Sequence, residues 1–344
     1  MTFFITINFS NKIPVYRQIV QQFESAIISG KIKPGEQVPS MNELAESLNI
    51  SKETVKKAYG VLRDNGLLES YQGKGFYISP DIEQSHNSIL LIFDKLSTYK
   101  QVFMDAFCKT MGSSAKISIL LHNQSHDLLK YFLDENLGLY DYYVVTPHFA
   151  RNSQSQQEAI KQLQRISNRQ LIIADYLPPE MTGKFGAVYQ DFRKDAESGL
   201  VKGLKKIKQF GKMDVITLPN SLYGDMIEES VKSFCEKNGI EYTFHNRISS
   251  EIIESGHVYL MLNSQADQGL IQISKIAKEK NLRIGKDINI ISYNESPICE
   301  LFFGGLTTIS TDFEKMGEIA AKMILDNKLE KVHCPFGMVR RSTF

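Results

Sequence analysis

The chain has 344 residues, more than one hydrophobic core usually holds, so at least two domains are expected. Its 40 Lys and Arg residues nearly balance its 39 Asp and Glu residues, so overall charge does not indicate a nucleic-acid binder. The four cysteines are too far apart for a zinc site or a disulfide framework: Cys108, Cys235, Cys299 and Cys334. No 18-residue apolar stretch and no secretory leader occur, so we expect a soluble, cytoplasmic protein without a membrane span.

The first fifty residues predict two short helices. Apolar residues recur at every fourth position over 15–27, and Gly30 supplies the stop of a first helix. Ser40 and Glu43 have the reciprocal spacing of a capping box and predict the start of a second helix that ends near Leu48.

A third helix is predicted over 51–65. Ser51 can cap its first turn, and Gly66 can end it in the left-handed conformation that other residues resist. Four apolar residues fall on one face at helical spacing, namely Val55, Ala58, Tyr59 and Leu62. The exposed surface is cationic near the N-terminus of the helix and carries Lys52, Lys56 and Lys57.

A hairpin is predicted directly after the third helix. Two strand-like segments, 67–71 and 76–78, flank a glycine-containing turn at 72–75. The order helix, helix, turn, helix, hairpin is typical of a winged helix-turn-helix, in which the third helix enters the major groove of DNA. A helix with three lysines is by itself usually only a solvated helix, so this interpretation depends on the whole series of elements.

Beyond residue 87 the sequence alternates apolar strands with amphipathic helices. The polar residues 80–87 are interpreted as a linker. Seven strands are predicted, at 88–93, 116–122, 142–146, 170–176, 214–218, 257–262 and 288–293. Six helices are predicted, at about 100–111, 126–136, 154–167, 194–209, 224–238 and 266–280. This alternation predicts an α/β fold with parallel sheets, whose ligands bind at the carboxyl ends of the strands.

Polar residues that follow or adjoin these strands are candidates for a ligand site. Asp, Asn, His and Tyr side chains suit a sugar, because each hydroxyl both donates and accepts and an aromatic ring can pack on a C–H face. For any one position, the alternative is a loop residue that contacts water. The candidates are Asp94, Lys95, Tyr99, His122, His148, Asp175, Asp191, Asn220, Asp267, Asn294 and Glu295.

The sequence predicts no catalytic residue, metal or cofactor. His122 and His126 are four residues apart, but no third ligand is near and 123–125 have the composition of a loop. No nucleophile elbow, phosphate-binding loop or zinc-protease motif occurs.

Three segments of the first region are distinctive: IPVYRQI at 13–19, SGKIKPGEQVPSMNELAESLNISKETVKKAYGVLRDNGLLES at 29–70 and QGKGFYI at 72–78. With them, residues 10–79 resemble the DNA-binding domain of the GntR family of bacterial transcription regulators. The resemblance implies a winged helix-turn-helix domain over 1–79. Asn42, Lys52 and Lys56 stand where the family often has arginine, and Phe76 replaces its usual Thr or Ser, so base preference and one phosphate contact should differ. The implied DNA contacts are Ser40, Asn42, Ser51, Lys52, Thr54, Lys56, Lys57, Gln72, Gly73 and Lys74.

Two segments of the second region are also distinctive: NLRIGKDINIISYNESPICELFFGGLTTISTDFEKMGEIAAKMIL at 281–325 and PFGMVRRSTF at 335–344. With them, residues 88–344 resemble the two-lobed sensing and dimerisation core of the LacI/GalR regulators and periplasmic binding proteins. The resemblance implies three crossings between lobes, near 177–183, 295–297 and 308–312, and a first lobe of 88–178 plus 297–309. Asp267 matches a common acidic position of that core, and Asn294 replaces its usual aspartate.

A GntR head on such a body is the architecture of the arabinose-repressor type. The resemblance implies a homodimeric regulator, more often a repressor than an activator, of carbohydrate-utilisation genes. It would read a roughly palindromic double-stranded operator and respond to a sugar, with a pentose or 6-deoxyhexose such as arabinose or fucose suggested by the arabinose-repressor likeness. Two alternatives stay open: the same architecture sensing a nucleoside or amino-acid derivative, and an enzyme or carrier with a helical head.

Overall fold

The computed structural model describes residues 5–10, 13–28, 30–80, 87–150, 153–217, 221–262 and 266–344. The chain forms two compact units, one of residues 1–91, 112–118 and 130–143 and the other of 92–111, 119–129 and 144–344. In the described part of the chain, no helix combines the length and the apolar character that crossing a bilayer requires. Residues 81–86 of the predicted linker lie outside the described residues.

The N-terminal region, called the head below (residues 15–78), contains three helices and a small antiparallel sheet. The helices are α1 (Val15–Ile28), α2 (Met41–Leu48) and α3 (Lys52–Asp64), and the strands are β1 (Gln37–Val38), β2 (Leu68–Tyr71) and β3 (Gly75–Ile78). The strand order is β1-β3-β2. This is the helix, helix, helix, hairpin series that the sequence predicts.

Local side-chain chemistry sets the boundaries of α2 and α3. The hydroxyl of Ser40 accepts from the backbone N–H of Glu43 at 3.2 Å, and the Glu43 carboxylate accepts from the N–H of Ser40 at 2.7 Å, which confirms the capping box. Ser51 caps α3 by accepting from the N–H of Thr54 at 3.2 Å, and Gly66 has the left-handed φ of 71°. The predicted inner face of α3 is buried in the core of the head: Val55, Ala58, Tyr59 and Leu62.

The C-terminal region alternates helices and strands. The helices are α4 (Thr98–Met111), α5 (His126–Asn136), α6 (Ser153–Leu163), α7 (Asp195–Val201), α8 (Leu204–Ile207), α9 (Gly224–Asn238), α10 (Ala266–Glu279) and α11 (Phe313–Leu325). Strands of the first half are β4 (Asn87–Phe93), β5 (Ala115–Leu121), β6 (Tyr142–Val145), β7 (Leu171–Asp175), β8 (Gly186–Tyr189) and β9 (Lys212–Ile216). Those of the second half are β10 (Glu241–His245), β11 (His257–Met261), β12 (Asn289–Tyr293), β13 (Thr307–Thr311), β14 (Lys331–His333) and β15 (Phe336–Val339). Single 3-10 turns occupy Gly112–Ser114, Ser250–Ile252, Pro297–Glu300 and Phe302–Gly304.

These strands form two six-stranded sheets. The first has the order β14-β8-β7-β6-β4-β5, and the second has the order β10-β9-β11-β12-β13-β15. The second sheet is parallel except for β15, which runs antiparallel to β13. All five residues of β7 and of β12 are buried, as expected for strands covered on both faces. The predicted α/β class with mainly parallel sheets is confirmed.

The chain passes between the two sheets at three places, after β8, after β13 and after β14. The crossing predicted near 308–312 is confirmed, because β13 ends at Thr311 in the second sheet and α11 then packs against α4 and β8. The crossings predicted near 177–183 and 295–297 are wrong, since β8 extends the first sheet to Tyr189 and both β12 and β13 lie in the second sheet. Residues 307–309 therefore lie in the second sheet, not in the first lobe. The short strands β8 and β14 carry too little periodicity to be found from the sequence.

Candidate functional site

The exposed surface of α3 carries the predicted DNA contacts. Lys52, Lys56 and Lys57 are exposed, and Thr54 is half-buried. The Lys56 ammonium lies 3.3 Å from a carboxylate oxygen of Glu53, with both side chains mostly exposed. The Lys57 ammonium lies 4.2 Å from the centre of the Tyr16 ring, within cation–π range. Lys52 and Lys56 therefore have the solvent-facing positions from which phosphates or base edges could be reached.

The hydroxyls predicted to contact DNA already serve as structural caps. Ser40 takes part in the capping box of α2, and Ser51 and Thr54 share a hydrogen bond of 2.8 Å at the start of α3. Asn42 is exposed in the first turn of α2. A hydroxyl has one donor and two acceptor positions, so each can still bind a further group.

The wing turn presents Gln72, Gly73 and Lys74 to solvent. Two side chains stabilise the turn: the carbonyl of Lys74 accepts from the Gln37 amide at 3.0 Å and from the Tyr77 hydroxyl at 3.2 Å. Gly73 has a φ of 75°, which a side chain at that position would resist.

Phe76 is half-buried and packs against the core of the head. Its ring packs on Tyr59 in an edge-to-face arrangement with centroids 5.0 Å apart. This packing is the physical reason why a large apolar residue is accommodated where the resemblance implies Thr or Ser.

Several predicted effector residues belong instead to one buried polar network at the carboxyl end of the first sheet. The ammonium of Lys100, itself buried, pairs directly with Asp94 and lies 4.0 Å from Asp175. His148 Nε2 is 2.7 Å from the Asp175 carboxylate, so it donates its N–H there. Asp94, His148 and Asp175 are thus brought together as predicted, but their polar atoms are already paired.

The network continues into the second sheet through Gln190. The Gln190 amide donates to Asp175, and its carbonyl oxygen accepts from Thr311 at 3.0 Å and from Tyr293 at 3.4 Å. Thr311 and Tyr293 end β13 and β12, so this single side chain joins the carboxyl ends of the two sheets. Sequence reasoning missed Gln190 because it follows the unrecognised strand β8.

Burial and charge set the protonation states in this network. Burial lowers the pKa of Lys100 to about 8, although Asp175 opposes the shift. Burial alone would raise the pKa of the Asp175 carboxyl, but His148, Lys100 and Gln190 outweigh it and lower the pKa to about 2. Burial and the Lys100 charge lower the pKa of His148 below its usual value, so this imidazole is neutral at pH 7.

His122 is buried beside the same network. Its Nε2 lies 3.0 Å from the carbonyl of Thr146, and its ring stacks on Phe149 at 4.4 Å. Burial lowers the pKa of His122 to about 4. Its Nδ1 has no hydrogen-bond partner among the described residues. His122 is therefore a neutral core histidine.

His126 is half-exposed beside Asp127, and no cluster of three or more His, Cys, Asp or Glu side chains in the described part of the chain is arranged to hold a metal ion.

An aromatic cluster fills the space next to His148. The rings of Phe192 and Tyr223 are stacked with centroids 4.2 Å apart, and Tyr176 lies 4.8 Å from Tyr223. The His148 ring meets Tyr223 edge to face at 5.2 Å. Together, the aromatic cluster and the polar network occupy the centre of the region where the sequence predicts a ligand.

The other predicted effector residues differ in accessibility. Lys95 is exposed, and Tyr99 is half-buried against Phe313, with ring centroids 4.7 Å apart. Asp191 accepts from the backbone N–H of Arg193 at 3.0 Å. Asn220 lies outside the described residues, as does the side chain of Asp267 in the first turn of α10.

Asn294 has a left-handed φ of 76°, and its buried Oδ1 has no hydrogen-bond partner among the described residues. The adjacent Glu295 forms a two-pronged ion pair with Arg341, at 2.8 and 3.2 Å, and accepts from Thr308. Arg341 lies just after β15, and sequence reasoning missed it because the last of the seven predicted strands was 288–293.

A cavity of about 570 Å³ opens beside this ion pair. It is lined by residues of α4, the loop after β12, the end of β13 and β15, and both later crossings border it. Its walls combine the rings of Phe313 and Phe336 with the charged groups of Lys202, Glu295 and Arg341. This size and mixture of apolar faces and a few polar groups are typical of small-molecule sites.

A second cavity, of about 830 Å³, lies at the carboxyl ends of β9 and β10. Its lining includes Thr217, Asp225, His245 and Arg247 from the second sheet side and Ala150 from the loop after β6. None of the predicted effector residues lines this cavity among the residues that the structure describes.

Two family models match the chain. One, described as bacterial regulatory proteins of the gntR family, matches residues 15–78. The other, a periplasmic binding protein-like domain, matches residues 203–342.

Curated relatives match either the head or nearly the whole chain. The HTH-type transcriptional repressor YtrA of Bacillus subtilis is 36% identical over 95 residues, which cover 27% of this chain and 71% of YtrA. The arabinose metabolism transcriptional repressor of Halalkalibacterium halodurans is 22% identical over 341 residues, which cover 90% of this chain and 88% of that protein. The match over nearly the full length confirms the predicted combination of head and body.

Solved structures share the fold of the body. The trehalose repressor from Escherichia coli aligns with a TM-score of 0.59 and 12% identity, covering 74% of this chain and 100% of that one. The Lac repressor bound to ONPG in the repressed state aligns with a TM-score of 0.58 and 15% identity, covering 94% of this chain and 95% of that one.

Proposed function

Because this chain belongs to the GntR family of bacterial regulatory proteins, we propose that it is a transcriptional repressor whose head binds operator DNA under the control of a carbohydrate bound in its periplasmic-binding-protein-like body. The observation that carries the proposal is the surface of α3, where Lys52 and Lys56 face solvent on a helix held by a complete core. The family consists of regulators, which confirms the expectation that the chain is not an enzyme. The cytoplasm, where the chromosome lies, is the proposed location.

The effector occupies the 570 Å³ cavity in this proposal. Phe313 and Phe336 offer ring faces for the C–H face of a sugar, and Glu295 and Arg341 offer planar groups that accept from and donate to hydroxyls. Residues 311–313 and 335–336 lie at two of the chain crossings. A ligand held there would bind more tightly to one arrangement of the crossings than to another. This difference in binding free energy is what the ligand can contribute to a change in operator affinity.

A sugar is the favoured class of effector because the full-length relative is an arabinose metabolism repressor. The neighbouring trehalose repressor is named for another carbohydrate. A pentose or 6-deoxyhexose is therefore the first group of compounds to test, and nucleoside and amino-acid derivatives form the second.

Titration calorimetry of the full chain against pentoses, hexoses and deoxyhexoses tests this proposal. We expect one sugar to bind, and we expect Glu295→Gln to weaken its binding by about 10- to 100-fold, since a hydrogen bond to a charged group is worth about 1.5–3 kcal/mol. Arg247→Ala, in the 830 Å³ cavity, is the matched control and should leave the affinity unchanged.

If Arg247→Ala weakens binding and Glu295→Gln does not, the effector binds in the 830 Å³ cavity instead. If no sugar binds and a nucleoside or amino-acid derivative does, the effector belongs to that class of compound and is not a carbohydrate.

The repressor is a homodimer in this proposal, supported by an exposed apolar patch on the 3-10 turns after β12. Leu301 is 80% exposed and Ile298 is 47% exposed, and neighbouring exposed aliphatic residues of this kind are candidates for a contact between subunits. We expect sedimentation at micromolar concentration to give the mass of two chains, and Leu301→Arg to give one. Val201→Arg, at another exposed aliphatic position, is the control, and a monomeric wild type would exclude this interface.

A further inference from the structure

Within the first compact unit, one stripe of α1 contacts the turn that joins α5 to β6. Arg17 donates from Nη1 to the carbonyl of Glu135 at 3.0 Å, and the Gln21 amide donates to the carbonyl of Gly138. Arg17, Gln21 and Glu24 are spaced by four and three residues, so they share one face of the helix. We name this contact, formed by Arg17, Gln21 and Glu24 with the 135–141 turn, the α1 seam.

The turn approaches α1 closely and is itself firmly held. Gly138 has a φ of 82°, a left-handed conformation that residues with a side chain rarely adopt, so this position of the turn favours glycine. Tyr143 fixes the turn by accepting from the N–H of Gly138 at 2.7 Å and donating to the carbonyl of Asn136 at 2.8 Å. These two hydrogen bonds hold the turn in the conformation that contacts α1.

The turn is also tied to the first strand of the body. The Asp141 carboxylate accepts from the backbone N–H of Ser88 at 2.7 Å and from its hydroxyl at 2.9 Å. Ser88 lies in β4 and Tyr142 begins β6, so the seam connects the head to two strands of the first sheet.

Glu24 of the α1 seam lies near a second carboxylate, that of Asp141. The charge of Asp141 disfavours ionisation of the Glu24 carboxyl and raises its pKa. Two groups lower that pKa, namely the Lys116 ammonium from β5 and the Asn65 amide, which donates to Glu24 at 3.4 Å. Burial first, and then Asp141, raise the pKa of Glu24 to about 7.

We propose that the α1 seam is a docking contact between the head and the first sheet, and that it loosens when Glu24 ionises beside Asp141. The contact leaves the DNA-reading surface of α3 uncovered, so it sets the position of the head without blocking DNA. This inference goes beyond the proposed function, and its test needs neither DNA nor sugar.

The direction of the pH effect follows from linkage. Glu24 holds its proton more tightly in the docked state than in the free head, because undocking removes Asp141 and the burial that the turn contributes, so its pKa moves back toward the ordinary value of 4.5. Docking is therefore strongest at low pH, weakens as the pH rises from about 4.5 to about 7, and changes little above that.

Hydrogen–deuterium exchange of the full chain, read on a peptide spanning 130–143, tests the contact. We expect the double variant Arg17→Ala, Gln21→Ala to exchange several-fold faster than wild type at pH 6. Ser25→Ala, at an exposed position of the same helix, is the control and should match wild type. Equal exchange in all three proteins would show that the seam does not form in solution and would overturn the proposal.

Glu24→Gln tests the switch. The peptide 130–143 has the same sequence in wild type and in this variant, so the ratio of their exchange rates removes the intrinsic effect of pH. We expect a ratio near one at pH 4, a rise of several-fold or more by pH 7 and little further change up to pH 8. A ratio that stays constant over this range would overturn the ionisation mechanism.

Discussion

Replacing Lys52 and Lys56 together with alanine is expected to weaken operator binding by about 100-fold, because each contact to a phosphate or base edge contributes on the order of 1–2 kcal/mol. Both side chains leave the N-terminal half of α3 and face solvent, so their removal disturbs no buried group. A fluorescence-anisotropy titration with the DNA directly upstream of the protein's own coding sequence measures the change. If both lysines contact phosphates, the slope of log affinity against log salt should fall by about 2.

Arg63→Ala is the matched control, since Arg63 is an exposed cation in the last turn of the same helix. We expect it to leave affinity within about twofold of wild type, apart from a small long-range charge effect. Equal losses from Arg63→Ala and from the double variant would mean that general charge, not the N-terminal half of α3, governs binding. No binding by the wild type at any salt concentration would reject DNA recognition by the head on this fragment.

Replacing Lys100 with methionine is expected to destabilise the protein by about 3–5 kcal/mol, because it leaves Asp94 and Asp175 buried without their shared cation. The side chains of Lys100, Asp94 and Asp175 are each at least 96% buried, so water cannot replace the lost partner. Urea unfolding followed by circular dichroism gives the free energy, provided that the slope with denaturant is unchanged.

The double variant Asp94→Asn, Lys100→Met should recover part of this loss, because it removes one of the two uncompensated carboxylates. Lys95→Met is the matched control, since Lys95 is exposed in the loop just before α4, and we expect a change within about 0.5 kcal/mol. A stability of Lys100→Met equal to that of Lys95→Met would show that the buried cation contributes nothing net to the fold.

The buried position of Lys100 has a signal in the sequence that is easily passed over. Lys100, Phe103 and Phe107 are spaced by three and four residues, and all three are buried on one face of α4. A lysine on the apolar stripe of a helix predicts a buried ion pair, and the carboxyl ends of β4 and β7 supply its carboxylates. The partners themselves, Asp94 and Asp175, are predicted for this region but as ligand contacts.

The sequence by itself determined the head and the class of the body. Helix caps such as Ser40 and Ser51, and the four-residue spacing on the inner face of α3, act between near neighbours in the chain, so they can be predicted without the fold. The alternation of apolar strands and helices determined the mainly parallel sheets in the same way.

Only the tertiary structure decided which polar residues remain available to a ligand. Gln190, Tyr293 and Thr311 come from distant parts of the chain, and they meet only once β8, β12 and β13 are in place. Their hydrogen bonds help make Asp175 and its neighbours part of the core, while Glu295 and Arg341 border an open cavity. The physical reason is that burial of a side chain depends on groups brought to it by long-range folding, which local spacing does not encode.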